Sequence, residues 1–258
     1  MTPAAEAFLA PDEPEAVIEH RAAGASPFLL VCDHAGRRIP RRLHDLGLSE
    51  ADRARHIAWD IGIAGVGREL SERLDACLIL QPYSRLVIDC NRPPGTPESI
   101  VAASDGTRIP GNEKLSAYDA ETRAREIFAP YHGTIARHLD ARKNAGRQTI
   151  LISLHSFTPV YGGFTRPWQA GVLYNRYRAL ADALRLALSA PGDLSVGDNE
   201  PYTVDDETDY TIPVHGETRG IPHVAIEIRQ DLIGEPAGQR QWTARLAKLL
   251  PKAAAEIR

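Results

Sequence analysis

Short apolar runs alternate with longer helix-patterned stretches along this chain. The runs PFLLVC (27–32), CLIL (77–80), RLVID (85–89), TILISL (149–154), GVLYN (171–175) and HVAIEI (223–228) are rich in valine, isoleucine and leucine. They mostly lack polar alternation, as strands covered on both faces do. Residues 61–75 and 175–190 carry helical patterns between them, although glycines weaken the first. In 114–145, Ile127, Tyr131, Ile135 and Leu139 recur at four-residue spacing, and Pro130 should kink or split the helix. Near the C-terminus, Trp242, Leu246, Leu249 and Ala253 share a face. The alternation predicts a single α/β domain over residues 15–258, with a loose leader at 1–14. Its central sheet should be mixed but mostly parallel, with helices on both faces.

Such sheets gather functional groups just beyond the carboxyl ends of their strands. Here polar residues do follow the apolar runs. Asp33 and His34 follow the first run, and Asn91 and Arg92 lie just beyond the RLVID run that Arg85 opens. His155 and Ser156 follow TILISL, and Glu227 and Arg229 sit in AIEIRQD. Two neutral imidazoles and a carboxylate can hold Zn²⁺ and leave a position open for water. A further carboxylate can take a proton from that water. Arginines and an asparagine can grip a carboxylate and polarise a carbonyl. Each residue also has a structural role open to it. His34 could pair with Asp33 in a turn, His155 could be a hydrogen-bonded core histidine, and the arginines could form surface ion pairs. Glu227 could form a structural ion pair, but an acid inside HVAIEI must be buried, which is costly unless it is paired or functional.

Composition narrows the classes. The chain has 258 residues, 43% hydrophobic and 25% charged, with a net charge of −4. That argues against a nucleic-acid-binding footprint and leaves room for a small anionic substrate. The three cysteines, Cys32, Cys77 and Cys90, sit in apolar runs without disulfide or zinc-finger spacing, and read as buried hydrophobes. The N-terminal stretch lacks the pattern of a secretory signal. No apolar run approaches the roughly 20 residues that span a bilayer. A cytoplasmic protein without a membrane partner is expected, and the oligomeric state stays open. There is no nucleophile elbow, P-loop, dinucleotide fingerprint or HExxH helix.

The segments VCDHAGRRIP, HIAWDIGIAGVG, YSRLVIDCNRPPG, DGTRIPGN, SLHSFTPVY, RPWQAGVLYN, VGDNEPY and HGETRGIPHVAIEIRQDLI occur in that order. With these segments, the chain resembles the N-formylglutamate amidohydrolase family, from about residue 28 to 233. That family is similar to the zinc carboxypeptidase and aspartoacylase group, so the resemblance implies a hydrolase-like α/β fold of zinc-carboxypeptidase type. It implies His34 and His155 as metal ligands, Arg85 with Asn91 and Arg92 as the substrate clamp, and Glu227 as the base. It also implies that His215 and Arg219 line the substrate pocket, with Arg219 or Arg229 helping to hold carboxylates. One departure matters. The wider group's first motif is His-x-x-Glu, but three residues after His34 stands Arg37. The third ligand is therefore expected to be Asp60, with His56 and Asp33 as fallbacks. Asp60 could equally cap the helix that follows it. Asn199, Glu200 and Tyr202 are further candidate contacts on a turn-rich loop.

The expected activity is hydrolysis of an N-formyl amino acid, N-formylglutamate in the family's usual setting of histidine breakdown. A Zn²⁺-activated water, Glu227 as base and Arg85 at the oxyanion would release formate and glutamate. Fe²⁺, Co²⁺ or Mn²⁺ would also suit two histidines and an aspartate. The alternatives are a deacylase or carboxypeptidase acting on another N-acyl amino acid or small peptide, and a catalytically silent binding protein on the same fold.

Overall fold

The structure is a computed structural model, and it describes residues 8–257. Seven strands form one sheet: Ile18–His20, Phe28–Cys32, Cys77–Leu80, Ile150–Phe157, Ala170–Leu173, Val196–Asp198 and His223–Arg229. Across the sheet their order is first, third, second, fourth, seventh, fifth, sixth. The four central strands, Cys77–Leu80, Phe28–Cys32, Ile150–Phe157 and His223–Arg229, run parallel. Ile18–His20 joins one side antiparallel, and Ala170–Leu173 pairs antiparallel with His223–Arg229 on the other. The sheet is therefore mixed and mostly parallel.

Residue parity decides which layer each strand residue joins, because successive side chains point to opposite faces. Leu30, Leu78, Leu80, Ile152, Leu154, Val224 and Ile226 pack under the helices Ile63–Leu74, Ala179–Ser189 and Pro236–Glu256. Leu29, Val31, Ile79, Leu151 and Ala225 pack on the opposite face against Ile127, Tyr131, Ile135 and Leu139. The four-residue spacing thus marks a core face. Pro130 falls in the first turn of Ala129–Asn144, where a missing N–H is tolerated. The π-helical turn Ala124–Phe128 joins that helix to Ala117–Arg123.

Two expectations change. RLVID is not a strand. Leu86 N–H donates to Ser84 Oγ and Val87 N–H to the Ser84 carbonyl, so the chain coils through local turns. Buried Arg123 and Asn112 donate to the Val87 and Leu86 carbonyls and brace this coil from outside. Of the expected loose leader, residues 1–7 lie outside the described residues, and the described part is tied down at both ends while Pro11 and Asp12 are exposed. Phe8 is buried beneath the Arg42 guanidinium, and the Pro14 carbonyl accepts from the Tyr83 hydroxyl.

Candidate metal and active site

His34 stands two residues past the strand Phe28–Cys32, in a turn pressed against Pro82. A Cβ on Gly36 would come within 2.0 Å of the Pro82 carbonyl oxygen, so only glycine lets the turn sit there. Asp60 precedes the helix Ile63–Leu74 but does not cap it. The N-cap is Gly62 at φ +83, with no side-chain cap bond. The Asp60 backbone N–H donates to the His34 carbonyl (3.0 Å), which turns the carboxylate inward. The strand expected to end at 154 runs on to Phe157, so His155 lies inside it. Glu227 is its register partner on the neighbouring parallel strand. Both side chains follow the parity of Leu151 and Ala225, so they emerge on the face covered by the Ala129–Asn144 helix.

These positions bring His34, Asp60 and His155 together, with one ligand atom from each within 4.8 Å of the others. Hydrogen bonds behind the rings settle which nitrogens face inward. His34 Nε2–H donates to Asp89 Oδ1 at 2.7 Å, leaving buried Nδ1 without a hydrogen-bond partner, 3.4 Å from Asp60 Oδ2. His155 Nε2 lies 2.9 Å from Ser153 Oγ and 3.3 Å from Asp33 Oδ2. Its Nδ1 lies 3.0 Å from Asp60 Oδ2, a contact that a proton bridges in the metal-free protein and that a metal ion would bridge in its place. The donor set and the unpartnered Nδ1 fit a divalent metal. Burial alone would lower the His155 pKa, but the Asp33 and Asp60 carboxylates override it and hold it well above the usual imidazole range. Burial would raise Asp60, yet the two imidazoles hold it well below the usual carboxylate range.

Glu227 behaves in the opposite way. Burial pushes its carboxyl up to about 7, more than His155 pulls it down, and Oε2 has no hydrogen-bond partner. Arg85 donates from Nε and Nη2 to Asp89 Oδ2 (3.0 and 2.6 Å), while its Nη1 lies 3.7 Å from Asp60 Oδ1. All five groups open into a cavity of about 620 Å³, within the range of small-molecule sites.

The model of the N-formylglutamate amidohydrolase family matches residues 26–234. The chain belongs to that family. It is similar to the N-formylglutamate deformylases of Pseudomonas putida (30% identical over 143 residues, 52% of each chain) and Pseudomonas aeruginosa (32% over 144 residues, 52% of this chain and 53% of that one). The chain spans about half the length of the curated relatives it matches. Among solved structures, a gene product of Agrobacterium tumefaciens is 38% identical, with a TM-score of 0.93 over 97% of this chain and 99% of that one. The N-formylglutamate amidohydrolase of Ralstonia eutropha shares the fold: 18% identity, TM-score 0.68, covering 94% and 98%.

Not every residue named from the amidohydrolase pattern reaches the cavity. Asn91 and Arg92 line it, but both are already engaged. Asn91 Nδ2 donates to Asp209 Oδ1, and its Oδ1 accepts from the N–H groups of Tyr210 and Thr211. Arg92 Nη1 donates to Asp209 Oδ1 and to two carbonyls. His215, Arg219 and Arg229 do not line the cavity. His215 is buried against His132 (3.0 Å), in a separate cleft on the outer side of the Ala129–Asn144 helix. Arg219 pairs with Asp140 at the rim of that cleft, and Arg229 pairs with Asp231. The physical reason is competing partners: Arg229 is held by Asp231 and the Trp168 carbonyl, and His215 by His132. Of the fallback ligands, Asp33 stands behind His155, and His56 lines the cavity beside Asp105 (3.4 Å). Asn199, Glu200 and Tyr202 line it too.

Asp89 and Ser153 are site residues that sequence reasoning missed. The signal was present for Asp89: an acid ending an apolar run, as in HVAIEI, where the same logic picked out Glu227.

Proposed function

We propose that the chain is a metal-dependent hydrolase that cleaves the formamide C–N bond of an N-formyl amino acid. The curated relatives' names, N-formylglutamate deformylase, suggest N-formylglutamate as substrate. The observation that carries the reading is the pairing of a buried His–Asp–His cluster with a neighbouring carboxyl group, Glu227, that has no hydrogen-bond partner on Oε2 and a pKa pushed up to about 7. His34 Nδ1, Asp60 and His155 Nδ1 would hold the metal, and two nitrogens with one oxygen suit Zn²⁺. When bound, the ion would act as a Lewis acid and lower the pKa of a water in the site.

Glu227 takes the proton of the attacking water. Its Oε2 has no other hydrogen-bond partner, so it is free to accept that proton and later return it to the nitrogen of the leaving amine. Arg85, held from behind by Asp89, keeps Nη1 directed at the cavity, where negative charge develops on the formyl oxygen. The Asp89 and Asp33 carboxylates keep both imidazoles in the tautomer that faces inward. The products are formate and the free amino acid.

The test is formate release by protein of measured metal content. The expected result is about one zinc per chain and release from N-formylglutamate. Glu227→Gln should keep its zinc and lose roughly 10²–10⁴-fold in kcat. Near-normal turnover in Glu227→Gln would remove the base assignment, and full metal content in His155→Ala would remove the ligand set. A screen of N-formyl, N-acetyl and dipeptide substrates separates the deformylase from its alternatives, and detectable formate removes the silent binding protein.

A further inference from the structure

We infer that Arg166, acting through the hydroxyl of Tyr202, is the cation that recognises a carboxylate of the substrate. The proposal rests on the reading above only in supposing a ligand that carries a carboxylate. The other arginines considered for that role already have carboxylate partners. Arg85 is paired with Asp89 and Asp60, Arg92 with Asp209, Arg219 with Asp140 and Arg229 with Asp231.

Arg166 is different. It is only 5% exposed, and no carboxylate lies within ion-pair distance of it among the described residues. A buried cation without a counter-charge is costly. Part of that cost is offset by three aromatic faces: Phe157, Tyr161 and Tyr202, with ring centroids 5.7, 5.0 and 4.7 Å from the guanidinium carbon. Only Nη1 is hydrogen-bonded. It donates to the Thr158 carbonyl (3.3 Å) and to the Tyr202 hydroxyl oxygen (3.0 Å), and Nε and Nη2 have no hydrogen-bond partner among the described residues. Phe157, Thr158, Tyr161 and Tyr202 line the active-site cavity, so the guanidinium stands directly behind its wall.

The Tyr202 phenol carries the charge forward. Its oxygen accepts from Arg166, so its own proton points elsewhere, and no protein group among the described residues accepts it. Tyr202 presents that proton to the cavity from a loop that is firmly seated. A Cβ on Gly171 would lie 1.9 Å from the Glu200 carbonyl oxygen, and one on Gly197 would lie 2.6 Å from Glu200 Cβ. Gly171 is the register partner of Glu227, so the loop sits on the strand beside the proposed base. An anionic oxygen that accepts the phenol proton meets a donor backed by an unneutralised charge, and charge-assisted hydrogen bonds are stronger than neutral ones.

Calorimetric titration of the zinc-loaded protein tests the assignment without turnover. The probes are L-glutamate and its diamide, which has the same skeleton and ammonium group but no carboxylate. Wild type should prefer glutamate. Tyr202→Phe keeps the ring and Arg166→Lys keeps the charge, and each should weaken glutamate about tenfold or more while changing the diamide less than about twofold. In turnover the same variants should raise KM by a similar factor and leave kcat within about threefold. Equal losses on both ligands, unchanged glutamate binding, or a wild type that does not discriminate would overturn the assignment. Circular dichroism and melting check that both variants fold, and Tyr202→Phe decides alone if Arg166→Lys does not. Intact discrimination without formate release would instead sink the deformylase reading and leave this subsite standing.

Discussion

At the scale of single residues, the site depends on acids that touch no substrate. Asp89 and Asp33 each hold the rear nitrogen of a proposed ligand histidine, and Asp89 also carries Arg85. Asp33 is itself pinned by the hydroxyls of Tyr131 and Thr211, at 2.9 and 2.8 Å. An amide in place of either carboxylate accepts more weakly and can present an N–H to the ring. Asp89→Asn and Asp33→Asn should therefore bind zinc about 10–100-fold more weakly in a chelator competition. Asp89→Asn should also lose turnover when zinc is saturating, because Arg85 is released, whereas Asp33→Asn should recover. Glu227 makes a second prediction, for the metal-free protein. Its folded pKa, about 7, lies above the ordinary glutamate value of 4.5, so its protonated form favours folding. That stability is fully present below the unfolded pKa and is lost as pH rises through the folded one. Glu227→Gln should match the parent in stability near pH 4 and exceed it near pH 8, by up to about 3 kcal/mol, with a correspondingly higher melting temperature. Equal melting of the two proteins at pH 8 would contradict this.

At the scale of elements, loops place the chemistry and the sheet supplies the anvil. The loop carrying Glu200 and Tyr202 lies on Gly171 with no space for a methyl group. Gly171→Ala should lift that loop, cost about 1–3 kcal/mol and raise KM. Gly133, in the helix Ala129–Asn144, has open space where a Cβ would stand, with nothing within 4 Å, so Gly133→Ala should stabilise by about 0.5–1 kcal/mol with unchanged kinetics. Thermal melts and steady-state kinetics on the pair distinguish a seated loop from a general intolerance of alanine. Five of the six strands expected from apolar runs are strands. The sixth, 85–89, failed because apolar periodicity cannot tell a buried strand from a buried coil. Leu86, Val87 and Ile88 are buried because neighbouring loops cover them, and their backbone bonds go to Ser84, Arg123 and Asn112 rather than to a ladder. The helix starting near Asp60 was legible too. That its N-cap is Gly62, which frees Asp60, depended on the His34 carbonyl reaching the Asp60 N–H.

At the scale of the whole molecule, a bound metal would tie together the loop after the second strand, the loop before a helix and the fourth strand of the sheet. Metal should therefore stabilise the fold by mass action. At zinc one hundred times its dissociation constant the gain is about 2.7 kcal/mol, roughly 5–10 °C in melting temperature for a domain of this size. His155→Ala should abolish the zinc-dependent shift, and an unchanged shift would count against the ligand set. No described helix is long and apolar enough to cross a membrane.

By itself, the sequence determined the α/β class and most of the strands, and together with the family resemblance it put forward His34, Asp60, His155, Glu227 and Arg85, which the fold brings to one cavity. Buried strands and buried polar groups impose local patterns that survive in one dimension. Only the tertiary structure decided that Arg166, behind the cavity wall, has no carboxylate within ion-pair distance among the described residues, which acids stand behind the histidines, and that His215, Arg219 and Arg229 lie outside the cavity. Those outcomes depend on contacts between segments far apart in the chain. Arg166 and Tyr202, or His34 and Asp89, carry no mark in their own neighbourhoods of the partner that gives each its role.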